Sequence, residues 1–273
     1  MAFGFTAVSR AHFRSILRSL LIGSAFLLAA GCASEIREKR FTELVQRFPA
    51  TTESLKIQPL PGALPNPAAF AGKPVIVMVH PGYALFFRDE RRSTYTEAKY
   101  DLLEFQLSEE TRYISEFAKS GGLMILVIPG NYEEDSIAPD SYVAYLNQMA
   151  GGSLTVYYIR TETSHSGQLS MDTTLLLYSF LQNVKTGKIL IGGGFIGRCQ
   201  REFFRQLATY VENIPSFIVP EISSLSPDDI SSSEAFSILT SIRQKDYRPV
   251  IQFMQKKTDG DSEIQTLTPG ARR

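Results

Sequence analysis

The sequence predicts an α/β domain: a doubly wound, mostly parallel sheet of five or six strands with helices on both faces, in three layers. Two observations predict it. Short continuous runs of apolar, largely β-branched residues recur along the body, and such runs mark strands buried on both faces. Stretches with the helical spacing of apolar residues lie between them, so each strand returns to the sheet through a crossover. The joins carry the expected punctuation, with Gly121-Gly122 after the first helical stretch and Gly192-Gly193-Gly194 after the fourth run.

Val75–His80 (VIVMVH) is the first predicted strand. Thr96–Lys119 follows with helical spacing through Leu102, Leu103, Phe105, Tyr113, Ile114 and Phe117, and Gly121-Gly122 ends it. Leu123–Ile128 is the second strand, Ser141–Met149 a short helix and Leu154–Ile159 the third strand. Asp172–Asn183 reads as a helix capped by its Asp, Ile189–Ile191 as the fourth strand and Arg198–Glu212 as a helix. Phe217–Val219 is a fifth strand and Ser232–Arg243 a helix, while Pro249–Phe253 reads as a sixth strand or an edge. The domain is expected over 75–254, with a polar, flexible tail over 255–273. No internal repeat is visible.

The first 31 residues read as a signal peptide. Arg10, Arg14 and Arg18 make a positive start, no acid precedes Glu35, and Leu20–Ala30 is apolar or small. That run is shorter than the roughly 20 residues a spanning helix needs. Leu28-Ala29-Ala30-Gly31-Cys32 resembles the lipobox of bacterial lipoproteins, with Ala29 where Leu is commonest. The resemblance implies cleavage before Cys32, acylation of its sulfur, and a membrane partner reached through that lipid. Ala33, in place of Asp, implies sorting to the outer membrane, facing the periplasm. An uncleaved anchor and an ordinary signal peptide are the alternatives. Within 32–74, Glu35–Phe48 reads as a short helix and Pro49–Pro74, rich in Pro and Ala, as an extended tether.

Composition narrows the function classes. Lys plus Arg and Asp plus Glu each number 28. Losing Arg10, Arg14 and Arg18 leaves 25 basic residues against 28 acidic ones, a net charge of −3. A chain with that balance carries no electrostatic footprint for nucleic acid. With Cys32 acylated, Cys199 is the one thiol left, so an internal disulfide is ruled out for the processed chain. One cysteine with His80 and His165 makes no zinc pattern, and no metal or other cofactor is expected. Nothing in the sequence fixes an oligomeric state.

Ligands of open parallel sheets sit outside the carboxyl ends of the strands, where the winding reverses. The predicted strands end at His80-Pro81-Gly82-Tyr83, Pro129-Gly130-Asn131-Tyr132, Arg160–Gly167, Gly192–Cys199 and Pro220–Ser224. A reversal after the third strand would make the first and fourth neighbours and set His80 beside the glycine loop. Gly193, Gly194, Phe195, Gly197, Arg198, Tyr83, Asn131 and His165 are the candidate ligand contacts. Thr161–Gly167 reads as a mobile loop able to cover them. Tyr83, Phe86 and Phe87 line a pocket or belong to the core. Asp89-Glu90-Arg91-Arg92 and Glu133-Glu134-Asp135 read as solvated charge runs.

The glycine loop has two sharp readings. Gly192-x-Gly194-x-x-Gly197, with Glu221 at the end of the next strand, resembles the nicotinamide-binding segment of flavoprotein disulfide reductases. There, glycines admit a pyrophosphate and an acid holds the ribose. Glu221 lies farther on than the roughly 20 residues usual for that acid. The other reading centres on Cys199 as a nucleophile. A thiol at a helix start, near Arg198 and Arg201, is expected to favour thiolate, and backbone N–H groups of Gly194–Arg198 could form an oxyanion hole.

From Val75 to Val250 the order of elements resembles the isochorismatase-like cysteine hydrolases. Their nucleophile follows a glycine at the end of the fourth strand by six residues, as Cys199 follows Gly193. Thr173-Thr174-Leu175 sits where the family opens the preceding helix. The resemblance implies Cys199 as nucleophile, but His80 stands where the family has an acid, and Ser164 or His165 where it has a lysine. His80 would then serve as the base. Plainer readings stand beside these: Cys199 as a small buried apolar residue, His80 as a strand end bonded to a carbonyl, and the glycines as a close turn. The expectation is a lipid-anchored envelope protein. Its domain is a thiol-dependent hydrolase of a small amide or ester, a non-catalytic module for a ligand or partner, or, third, a dinucleotide binder.

Overall fold

Six strands form one sheet in the computed structural model, which describes residues 57–81, 95–130, 154–163, 166–211 and 213–257. They are β1 (Ile57–Pro59), β2 (Pro74–Val79), β3 (Leu123–Ile128), β4 (Thr155–Arg160), β5 (Lys188–Gly194) and β6 (Ser216–Ser224). Their order is β1-β4-β3-β2-β5-β6 and every pairing is parallel. Five α-helices accompany them: α1 (Glu97–Ala118), α2 (Met171–Val184), α3 (Cys199–Tyr210), α4 (Ser232–Arg243) and α5 (Arg248–Lys257). The sheet is doubly wound, as expected. After β2, β3 and β4 the chain crosses back to add β5 on the other side of β2, and the reversal falls between β2 and β5.

The continuous apolar strands follow from burial on both faces. Val75, Val77, Val79, Leu123, Ile125 and Val127 share a core with Phe180 and Leu181 of α2 and Phe203 and Leu207 of α3. The alternate residues Ile76, Met78, Met124, Leu126 and Ile128 join Leu103, Leu107 and Ile114 of α1 in a second core. Period-two side chains thus become two packed layers, each strand contributing to both. Burying a residue such as Ile or Leu there stabilises the fold by roughly 1.5–3 kcal/mol. α1 also packs along β6 and against α4.

Local capping fixes the helix starts. Ser170, not Asp172, caps α2: its hydroxyl accepts the Thr173 N–H at 3.2 Å. Ser231 and Glu234 form a reciprocal capping box on α4. Among the described residues, no helix is long and apolar enough to cross a membrane.

Three elements depart from the expectation. Pro249–Phe253 is not a strand but the first half of α5. Pro249 falls in the first turn, where its missing N–H costs nothing, and the Asp246 carboxylate accepts the Arg248 N–H at 3.1 Å. The sixth strand is instead β1, inside the stretch read as tether. It adds to the β4 edge in the register Ile57↔Val156, and the Leu60 N–H continues the ladder to Tyr158 O. Pro59 is tolerated there because an edge strand leaves one row of N–H groups unused. Finally, β5 runs on through Gly192-Gly193-Gly194 and β6 runs to Ser224, so residues read as loop are sheet. The expected helices Glu35–Phe48 and Ser141–Met149, Cys32, and the tether's residues 49–56 lie outside the described residues; the rest of the tether holds β1, a short 3-10 turn at Pro67–Phe70, and the buried Leu60 and Leu64.

Candidate functional site

The reversal between β2 and β5 brings two sequence-predicted segments together. Val79 pairs with Gly193, so His80 and Gly194 each lie one residue beyond the last paired position at the carboxyl edge. His80 is wholly buried, with a φ of 45°, and its N–H donates to Val127 O of β3 at 2.8 Å. That bond fits the plainer reading of His80 as a strand end tied to a neighbouring carbonyl. Tyr83, Asn131 and His165 lie outside the described residues.

Three of the glycines are explained by close packing within the protein. Gly193 has a φ of 88°, and a Cβ there would stand 1.9 Å from Val79 O. A Cβ on Gly192 would meet the Ile222 side chain at 2.5 Å, and one on Gly197 the Lys257 side chain at 2.9 Å. Gly194, the position a pyrophosphate would approach, instead faces Ser224. Glu221 is interior to β6 and buried, and its charge bears on the Tyr247 phenol. The dinucleotide reading therefore loses both its glycine cradle and its strand-end acid.

Cys199 opens α3, as predicted, and is 7% exposed. Its chemistry is the reverse of the expectation. Burial, and then the Glu202 carboxylate, push the thiol up to about 11. The backbone N–H groups of Cys199 and Phe195 and the Arg198 charge pull the other way and do not prevail. Arg198 is engaged elsewhere: its Nε and Nη2 hold both Asp229 oxygens, at 3.0 and 2.9 Å. Burial raises the Asp229 carboxyl, but this hydrogen bond and the nearby positive charges outweigh it and the pKa is lowered.

Of the N–H groups proposed for an oxyanion hole, Ile196 N–H donates to Ser224 O and Arg198 N–H to Phe195 O. That of Phe195 bears on the sulfur itself, together with the Cys199 N–H just beyond the proposed set. The peptide bond between Gly194 and Phe195 is cis.

Thr161–Gly167, expected to be a mobile loop, is stitched down in its described residues, as is the chain that follows it to α2. Glu202 of α3 accepts from the Ser166 hydroxyl at 2.9 Å and the Gly167 N–H at 2.8 Å. Gln206, one turn on, accepts the Leu169 N–H and donates to Leu169 O, both at 2.8 Å. Gly167 lies so close to α3 that a Cβ on it would stand 1.8 Å from Cys199 O. At the start of the segment, Thr161 Oγ1 accepts the Gly130 N–H and donates to Thr163 O.

Sequence reasoning missed this polar set, of which Gln200 is buried and Glu202 and Gln206 are half-buried. Besides Glu202 and Gln206 it includes Gln200, whose Nε2 donates to Ser223 Oγ at 2.8 Å and to Gly193 O at 3.3 Å. The available signal was spacing: Glu202 and Gln206 stand four apart on the helix Cys199 opens, an acid in its first turn. Among the described residues, no group of His, Cys, Asp and Glu is placed to hold a metal ion.

No protein-family model matches the chain, and no curated protein matches it. Among solved structures it is similar to N-carbamoylsarcosine amidase from Thermoplasma acidophilum, at 14% identity and a TM-score of 0.37. The match covers 64% of this chain and 92% of that one. At that level the likeness says nothing of activity.

Proposed function

We propose that this is a lipid-anchored envelope protein whose α/β domain is a binding module for a small ligand or an envelope partner, not a thiol enzyme. The observation supporting this reading is the state of Cys199. A nucleophilic thiol needs a population of thiolate near neutral pH. Here burial and Glu202 hold the group protonated, with a pKa of about 11. The His80 ring is enclosed, and the Arg198 guanidinium is bound to Asp229.

The test is a panel of small amide and ester substrates offered to the full chain and to Cys199→Ser. A binding module turns over none of them above the level of the variant. Turnover that Cys199→Ser abolishes overturns the reading. The anchor is tested separately by mass spectrometry of the purified native protein. An acylated Cys32 at the amino terminus is the expected result, and an intact, unmodified Met1 terminus contradicts it.

One observation favours the hydrolase as a second reading. The Phe195 and Cys199 N–H groups both bear on the Cys199 sulfur, as an anion-stabilising pair would. In that reading Cys199 is nucleophile and His80 the base.

A further inference from the structure

A cavity of about 430 Å³ opens at the amino edge of the sheet, the opposite end from Cys199. It lies where the last turns of α1 pass over the first residues of β2 and β5. Tyr113 and Phe117 of α1 wall it, with Pro74 and Leu190 from the strands. Phe117 sits directly over Gly122, where a Cβ would fall 2.2 Å from its ring. The lining is thus mainly apolar. Its volume is that of small-molecule sites, which run to roughly 300–1,000 Å³ and fix their ligands with a few polar groups.

Here the charged groups are Lys73, Lys188 and Glu116. Glu116 is paired with Arg112, whose Nη1 lies 2.6 Å from its Oε1 and which it shares with Glu109. Lys73 and Lys188 make no ion pair among the described residues. Their backbones are held together. Pro74 pairs with Lys188 across β2 and β5, and the Thr186 hydroxyl reaches Lys73 O at 2.7 Å and Lys188 O at 3.1 Å. The carboxyl end of α1 disfavours an anion on its own side. Its Phe117 carbonyl is already bonded by the Ser120 hydroxyl. Negative charge is therefore favoured on the strand side, beside the two lysines.

The geometry points to this cavity as a binding site for a small organic anion with an apolar body, an aromatic carboxylate being the type case. The acidic group lies at Lys73 and Lys188, and the body lies over Leu190 between Tyr113 and Phe117. Neither the sheet's carboxyl edge nor Cys199 takes part.

The experiment titrates the full chain with 2-naphthoate and with its neutral counterpart 2-naphthylmethanol, by calorimetry. It repeats this on Lys73→Met, Lys188→Met and, as a control from the other edge, Cys199→Ser. Urea unfolding of each variant establishes that it is folded. The expected result is one saturable naphthoate site, weakened about tenfold by either lysine substitution and unchanged in Cys199→Ser, with the alcohol weaker by a similar factor. Absence of saturable naphthoate binding overturns the inference. So does equal affinity for the alcohol, indifference to both lysine substitutions, or loss of binding in Cys199→Ser.

Discussion

The Tyr247 hydroxyl donates to Glu109 Oε2 at 2.7 Å and fastens the segment between α4 and α5 to the middle of α1. Both residues are buried, at 4% and 6% exposure. Lys245 Nζ reaches the same oxygen at 2.7 Å, and Arg112 spans both oxygens from the next turn, at 3.2 and 2.9 Å. One carboxylate thus gathers three donors, two of them cationic. Removing the phenol hydroxyl leaves the other two in place, so Tyr247→Phe should cost about 1 kcal/mol in urea unfolding. Glu109→Ala leaves the buried Tyr247 hydroxyl without this acceptor, while Arg112 keeps Glu116, and should cost about 2 kcal/mol.

The same carboxylate sets an acid limit to stability. Burial pushes Glu109 up, but hydrogen bonds from Arg112, Lys245 and Tyr247 outweigh it and bring the pKa from 4.5 to about 2. A carboxyl whose pKa is lower in the folded state stabilises fully above its unfolded value, and that contribution disappears as pH falls through the folded value. The wild type should therefore lose stability between about pH 4.5 and pH 2, and Glu109→Gln should show a shallower loss over that window. Unfolding midpoints at pH 6 and pH 3 check this.

At the site, Gly193 and Gly194 should respond differently to alanine. Gly193→Ala combines a positive φ with a Cβ 1.9 Å from Val79 O, so backbone must move. It should destabilise by about 3 kcal/mol or more. Gly194→Ala meets only the Ser224 side chain, at 3.3 Å, and should cost about 1 kcal/mol or less. Thermal unfolding of the two variants separates a glycine that its own sheet requires from one that the sheet can replace.

Glu202→Gln isolates the acid's effect on the thiol. The Ser166 and Gly167 donors keep an acceptor in the amide, while the negative charge is lost. The Cys199 thiol should ionise at lower pH, which a thiolate absorbance titration reads directly.

The fold was legible because burial on both faces writes itself as runs such as VIVMVH and LMILVI, which few other environments allow. The order of strands and helices allowed the β2–β5 reversal, and with it the approach of His80 to the glycine strand, without fixing where the winding turns. What failed was short or context-dependent. Three residues at Ile57–Pro59 hold too little periodicity to reveal an edge strand. The Pro249–Phe253 run hid the helical spacing of Tyr247, Val250 and Met254, all three buried. The thiol stood open between a nucleophile and a small buried residue, because helix position and nearby arginines are visible in sequence, whereas burial and the Arg198–Asp229 pair are tertiary. Of the glycines that match a phosphate cradle, Gly192 is a close contact with β6 and Gly197 one with α5.

The rate of Cys199 alkylation by iodoacetamide in the native full chain, followed from pH 6 to pH 11.5, tests the reading of the domain as a non-catalytic module most directly. The account predicts slow modification at neutral pH and a rate still rising toward a midpoint near 11. Rapid labelling with a midpoint at or below the roughly 8.5 of a free thiol would contradict it.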